Sequence, residues 1–381
     1  MIEQLKNAKT WEERYRLIIQ AGKNLPRPSD EELAEMQPIS GCEAQMWLQI
    51  LPKTDCTFTF RAFSEARIMN GLLWILLNQI NGKNIEQLRN FDLSAFFNEL
   101  GIAQRLSERA ESNCTTIKKF MYLIEPYFRI TALENCIVEQ SRVLNALIDQ
   151  WRYNGQIIGR EISLYLVEDN GVQGFAMRVV CPEQDSLFPQ NNNAEVDFAL
   201  QQAEKFGLFL ENFLLLGDDL NADQTAENAR PAWQVLYTTH LQSCSPIHSG
   251  ENFAPIPLYK QLKNQPHLSQ DVLKWQENWQ ACDQLQMNGA VLEQAALSEI
   301  SDIQSRLSKH GRYLAQEIEK QSGVPTYYYL YRVGGKSPAQ ERRRCCPQCG
   351  AVWTLDQALF DVLHFKCDAC RLVSNLSWNF L

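Results

Sequence analysis

Four cysteines near the end of the chain have a spacing that metal chemistry uses. In RRRCCPQCGAVWTLDQALFDVLHFKCDACRLV, Cys346 and Cys349 are separated by two residues, seventeen follow, and Cys367 and Cys370 repeat the step. Each Cys-x2-Cys turn offers two thiolates from one backbone knuckle, and two knuckles close the tetrahedral site that structural zinc prefers. Cys345 adjoins the first knuckle and His364 lies three residues before Cys367, so either could replace one ligand. Knuckle geometry favours Cys346, Cys349, Cys367 and Cys370. A redox Cys-x2-Cys pair and plain buried cysteines are the competing readings.

Cys42 raises a different question. It stands in ISGCEAQMWL, a Ser-Gly turn ahead of an alternating, strand-like run. As a thiolate with access to solvent it would be nucleophilic or sulfur-accepting; as a thiol in a core it would be a small hydrophobe, and composition alone favours the latter. No His occurs in the first 239 residues, so a Cys-His nucleophile pair within that region is excluded. Taking sulfur from an activated persulfide by thiol exchange needs no such base.

Other candidates have bland readings beside the sharp ones. Cys56, Cys114, Cys136, Cys181, Cys244 and Cys282 have no metal spacing. His240, Cys244 and His248 in HLQSCSPIH could form a metal or nucleophile cluster, but Pro246 and the preceding strand-like WQVLYTT argue against one shared helix face. Trp275 and Trp279 are spaced as core contacts of an amphipathic helix. Glu65 and Arg67 in SEAR could dock a partner near Cys42 or form an ordinary helix start. Arg342 to Arg344, beside Tyr327 to Tyr329, Tyr331 and Trp353, could form a basic aromatic surface for nucleic acid, a solvated linker or a partner surface.

The elements that must position these residues divide the chain into three: 1–124, 125–338 and 339–381. Thr10 with Glu13 and Ser29 with Glu32 read as capping boxes. MWLQIL and CTFTFRAF read as a hairpin joined by PKTD, and Ser64 as the cap of an apolar helix, SEARIMNGLLWILLNQI, ending at Gly82. Helical patterns run through IEQLRNF, DLSAFFNELG and SNCTTIKKFMYLIE to a boundary at Pro126. Beyond it, YFRITAL reads as a strand, with a helix near 136–153, strands near 157–168 and 172–181, and a helix near 193–213. A helical region over 270–321 leads to the strand TYYYLYRV. The fold class is α+β.

The chain has 381 residues, 45% of them hydrophobic, twelve cysteines and a net charge of -9. Disorder is not the default for that composition. The residues from 331 to 344 run against the acidic balance, with five cations and one carboxylate. The acidic middle of the chain would repel a phosphate backbone, so nucleic-acid binding is weakly supported. The opening MIEQLKNAKTWEERYR is polar, unlike a secretory signal, and the apolar run GLLWILL stops at Asn78, too short for a bilayer. A cytoplasmic protein with reduced thiols and no membrane segment is expected.

Three motifs in order resemble the SufE family of sulfur acceptors: WEERYRLIIQAGKNLP at 11–26, ISGCEAQMWL at 39–48 and SEARIMNGLL at 64–73. The resemblance implies an α/β sandwich like that of iron-sulfur scaffold proteins. It implies that Cys42 accepts persulfide sulfur from a cysteine desulfurase and passes it to iron-sulfur cluster assembly. It also implies that this domain carries no cofactor and is a carrier and desulfurase activator rather than an enzyme with independent turnover. Ala44 and Met46 are mild departures from the family pattern, and Arg109 in LSERAESNC is out of step with the family's late arginine, so no role carries over to it. The stretch from about 125 to 381 resembles an uncharacterised bacterial family of zinc-ribbon proteins suggested to bind nucleic acid. The whole chain is thus expected to be a sulfur acceptor fused to an α+β region ending in a zinc ribbon.

Overall fold

A computed structural model describes the chain apart from residues 9–10, 40–45, 54–56, 85–86, 89–90, 103–120, 132–136, 170–171, 220–224 and 381. It divides into two compact units, one formed by 1–115 with 287–289 and 378–381, the other by 116–286 with 290–377. The class is α+β, as expected. Among the described residues no helix is long and apolar enough to cross a membrane.

The first unit packs helices against a three-stranded antiparallel sheet, β1 (Gln37–Ile39), β2 (Met46–Pro52) and β3 (Phe58–Ser64), in that spatial order. Helix α1 (Ile2–Asn7) is followed by α2 (Trp11–Gly22) and α3 (Asp30–Glu35). Ser29 and Glu32 form the expected capping box at the start of α3. Thr10 lies outside the described residues, so its expected box does too.

Helix α4 (Arg67–Ile80) supplies the core, and its start differs from expectation. Ser64 is the last residue of β3, and Ala66 occupies the cap position without a side-chain bond. The turn is held instead by Asn70, whose Nδ2 donates to Ser64 O at 2.7 Å while its Oδ1 accepts from Ser64 N at 2.7 Å. A buried amide that satisfies a strand end in both directions replaces the cap. Gly71 of α4 lies so close to α2 that a Cβ there would come within 1.9 Å of Ile18 O. Leu17, Ile18, Ala21, Leu72, Ile75 and Leu100 close the core around this crossing.

The second unit contains two sheets. In the first, β4 (Met121–Ile130) lies between β8 (Leu208–Asp219) on one side and β6 (Val172–Met177) with β7 (Val179–Cys181) on the other, and β5 (Leu164–Asp169) extends it beyond β6. The helices Ile137–Asn154 and Ala194–Lys205 contribute Leu144, Leu147, Trp151, Val196 and Ala203 to a core with Phe128 and Phe175.

Three expectations are corrected here. Pro126, where a break was expected, lies inside β4, paired with Phe213 of β8. On its other side β7 covers Tyr122 to Ile124 and β6 covers Tyr127 to Arg129, so a residue lacking an N–H falls in the gap between two partner strands. Residues 121–125 are likewise strand rather than the end of a helix. The helix expected over 193–213 stops at Lys205; Gly207, with φ of 72°, turns the chain and Leu208 begins β8. A ladder along all of β4 outweighs the helical preference of LENFLLL.

The second sheet has six strands in the order β10-β9-β11-β14-β13-β12. These are β9 (Gln234–Leu236), β10 (Ile247–Ser249), β11 (Thr326–Leu330), β12 (Thr354–Leu359), β13 (Leu363–Cys367) and β14 (Leu372–Ser374). β11 runs parallel to both β9 and β14. The strands of the expected segment 339–381 therefore continue the sheet of the expected segment 125–338. The helical region over 270–321 is three helices, Pro266–Asn288, Glu293–Ser301 and Arg306–Ser322. Ser305 caps the third and Gly323, with φ of 72°, ends it.

Candidate metal centre and the Cys42 segment

The sulfurs of Cys346, Cys349, Cys367 and Cys370 all lie within 4.8 Å of one another, with Cys349 and Cys367 Sγ atoms 3.7 Å apart. Metal–sulfur bonds of about 2.3 Å in a tetrahedron place sulfurs about 3.8 Å apart, so this soft donor set fits a metal ion. Each knuckle turns through a left-handed residue just after its second cysteine: Gly350 with φ of 75° and Arg371 with φ of 52°. In the first, Gly350 N donates to Cys346 O and Cys346 N to Ala351 O, both at 2.8 Å. Cys345 is exposed with its thiol against Arg343 O, and His364 Nδ1 faces Val362 O, so neither belongs to the cluster.

The thiols are not equivalent. The Ala351 backbone N–H, with Cys370, pulls the Cys349 thiol down to about 7, while burial pushes Cys367 and Cys370 up. A bound cation would reverse that upward pressure, because it stabilises every thiolate at once.

The second knuckle is braced where glycine is missing. Arg371 Nε and Nη2 donate to the two carboxylate oxygens of Glu319, each at 3.1 Å, and Asp368 accepts from Tyr327 OH at 2.6 Å and from Lys366 Nζ at 2.6 Å. The first knuckle is braced through Arg344, whose guanidinium lies 4.9 Å from the Trp353 ring and 4.4 Å from Phe365, with Nε on Glu341 at 2.8 Å. Arg332 meets the same buried carboxylate with two hydrogen bonds. These supports were not legible in the sequence; the one signal was Arg371 standing where the first knuckle has Gly350.

The basic aromatic surface that Arg342–Arg344 and the tyrosines could have formed is not present among the described residues. Tyr327, Tyr328, Tyr329 and Tyr331 and Trp353 are each at most 3% exposed. β11 is buried along its whole length between partner strands, and Trp275 and Trp279, core residues as expected, pack on its tyrosines. Arg344 is committed to Glu341, which leaves Arg342 and Arg343 as the exposed members of the run.

Cys42 lies outside the described residues, as do Cys56, Cys114, Cys136 and Arg109. Among the described residues nearest to it in sequence, Ile39 of β1 pairs with Met46 of β2. Glu65 is exposed and Arg67 half-buried at the start of α4. Cys181 and Cys244 are buried and Cys282 partly so.

Residues 1–122 match the SufE family, described as an Fe-S metabolism associated domain, and 121–217, 228–331 and 335–380 match three domains of unknown function. An uncharacterized protein of Haemophilus influenzae is 80% identical over 261 residues, which is 68% of this chain and 100% of that protein. An uncharacterized SufE-like protein of the same organism is 77% identical over 108 residues, 28% of this chain and 86% of its own. The sulfur acceptor protein CsdE of Escherichia coli is 39% identical over 97 residues, 26% of this chain and 66% of its own. With its three motifs, its matched first 122 residues and its four-cysteine cluster in one chain, this protein belongs to the SufE-like family and carries a SufE domain fused to a C-terminal region that could hold a metal ion.

Proposed function

We propose that the chain is a sulfur acceptor in which Cys42 takes the terminal sulfur of a cysteine desulfurase persulfide and passes it toward iron-sulfur cluster assembly. The observation that carries this reading is the SufE match over 1–122, a stretch whose motif ISGCEAQMWL contains Cys42. Attack of the Cys42 thiolate on the outer sulfur releases the desulfurase thiol and leaves Cys42 as a persulfide, with no oxidant consumed. The reading needs no resident imidazole, which suits a segment whose first 239 residues lack His.

The metal of the four-cysteine cluster is zinc on this reading. It has a structural task, since four protein ligands leave no open position for substrate. No observation favours nucleic acid as the main partner, because the aromatic residues that would stack on bases are core residues.

The test is intact mass after incubation with a pyridoxal-phosphate-loaded cysteine desulfurase and cysteine. Wild type gains about 32 Da, one sulfur atom, reversibly under dithiothreitol; Cys42→Ala does not. Absence of the gain in wild type would sink the acceptor reading.

A further inference from the structure

The second unit contains a thiol site that the SufE domain does not account for. Cys244 lies in the loop between β9 and β10 and lines a cavity of about 250 Å³. Its Sγ is 3.8 Å from Nε2 of His248, and both residues are buried, at 3% and 1% exposure. The loop is held by two side chains one helical turn apart on Pro266–Asn288. Gln276 Nε2 donates to Cys244 O at 2.9 Å, and Gln280 Nε2 donates to Thr239 O and Gln242 O at 3.1 and 2.9 Å. The thiol is thus fixed relative to both the imidazole and the cavity.

The other lining residues indicate what enters. Arg152 and Arg160 meet a single carboxylate oxygen of Glu277, at 3.1 and 3.3 Å, so two guanidiniums face one carboxylate and a positive charge remains. Arg152 Nε and Gln242 Oε1 are buried with no hydrogen-bond partner among the described residues. Buried polar atoms without partners are costly, and a ligand offering both an acceptor and a donor would satisfy them. A carboxylate beside an amino or thiol group has that pattern, and a cavity of about 250 Å³ admits a small molecule of that kind.

We propose that Cys244 and His248 form a second sulfur-accepting site, which takes sulfane sulfur from a small anionic persulfide held by Arg152 and Arg160. The choice of sulfur as the transferred group rests on the acceptor reading of the SufE domain; the site itself does not. As Cys244 Sγ attacks the outer sulfur of R–S–SH, His248 Nε2 takes the thiol proton. The new Sγ–S bond forms as the donor's S–S bond breaks, and R–S⁻ leaves and recovers the proton, so Cys244 persulfide and R–SH are the products without net oxidation. Burial holds the His248 imidazole neutral, near 3, so the ring does not keep the thiol proton but relays it to R–S⁻ as that group leaves.

The test uses full-length Cys42→Ala protein, metal-loaded, treated with cysteine persulfide and no desulfurase, with sulfur located by peptide mass after trapping. The Cys244 peptide gains one reducible sulfur. The rate falls on the order of 10-fold or more in Cys42→Ala/His248→Asn, the scale of lost acid-base assistance. It also falls in Cys42→Ala/Arg160→Gln, whose substituted side chain is 52% exposed and leaves the core intact. The amide of the same persulfide, lacking the carboxylate, reacts no faster with the parent than with the Arg160→Gln variant. Sulfur on Cys282 or Cys345 but not on Cys244 overturns the proposal, as do equal rates in the parent and the Arg160→Gln variant. Failure of wild type with desulfurase, beside success here, would remove the Cys42 reading alone.

Discussion

Arg371 adopts a left-handed backbone at the end of the second cysteine knuckle, and Glu319, on the helix Arg306–Ser322, meets its guanidinium with two hydrogen bonds. A side chain in that conformation costs roughly 1–2 kcal/mol relative to glycine. The ion pair supplies what glycine supplies in the first knuckle. Glu319→Gln loses about 1 kcal/mol at most, because the pair is partly solvated, yet it weakens metal retention. Competition with a chromophoric chelator measures the weakening, and an unchanged release rate would contradict the bracing role. Arg371→Gly relieves the strained backbone and should retain metal better than Arg371→Ala.

Acid should loosen the same corner. Burial, the largest influence, would raise the Glu319 carboxyl, but the Arg371 hydrogen bonds, the Thr326 backbone N–H and the Arg371 charge together outweigh it and hold it below the ordinary carboxylate range; Lys366 and Tyr327 hold Asp368 down. A carboxylate depressed in the folded state contributes stability above its unfolded value, and that contribution is lost as pH falls through the folded one. Metal retention followed from neutral pH to below 4 should start lower in Glu319→Gln than in wild type, and the two curves should converge as pH falls below about 4.5, because the variant lacks the carboxyl that wild type must protonate.

Removing the metal should expose thiols as a set. Denaturing release of one ion per chain accompanies the appearance of Cys346, Cys349, Cys367 and Cys370 to a thiol reagent, whereas Cys345 reacts before release because it is exposed and outside the cluster. Cys367→Ser should abolish stoichiometric binding by mass spectrometry. Because β14 pairs with β11 in parallel, loss of the ion should also raise hydrogen exchange at Tyr328 and Leu330.

In the first unit, Gly71→Ala places a methyl where Ile18 O already stands, 1.9 Å from the added carbon. Overpacking of this kind costs about 1–3 kcal/mol or more, since backbone must move. Chemical denaturation of wild type and variant measures it; a loss below a few tenths of a kcal/mol would contradict the close crossing of α2 and α4. Asn70→Ala removes the two hydrogen bonds that its amide makes with Ser64 N and O and costs about 1–3 kcal/mol, and hydrogen exchange at Ser64 reports the loss.

His248 predicts a pH dependence of opposite origin to that of the carboxylates. Its folded value, near 3, lies below the ordinary 6.5, so the unfolded chain binds the proton first. Stability contributed by the neutral ring is full above about pH 6.5 and declines as pH falls toward 3. Unfolding of His248→Asn followed across that window should show a flatter limb than wild type; parallel limbs would mean that the ring does not titrate on unfolding.

Much of the site was legible because it depends on short-range spacing. Two cysteines three positions apart share a knuckle whatever surrounds them, so the four ligands could be named without a fold, and the capping box at Ser29 followed from residues three apart. The same locality explains the SufE motifs, which are continuous stretches. Misreadings arose where distant chain segments decided. LENFLLL has helical residues but became β8 because β4 offered a ladder along its length, and Pro126 reads as a break only until β6 and β7 are seen to leave a gap beside it.

What the sequence determined by itself was chemistry: thiols at fixed spacing, a SufE-like first third and an α+β alternation. What only the tertiary structure decided was exposure and partnership. Tyr327 to Tyr331 looked available for stacking, but strand pairing on both edges and helices on the faces placed them inside. Glu319 and Arg371 are 52 residues apart, as are no two groups whose pairing a local pattern can announce. In the sequence, Cys244 and His248 read as a cluster that Pro246 disfavours; the folded loop, pinned from the helix Pro266–Asn288, brings them together. Local geometry is written in neighbouring residues, whereas burial and long-range pairing depend on which segments win the competition to cover one another.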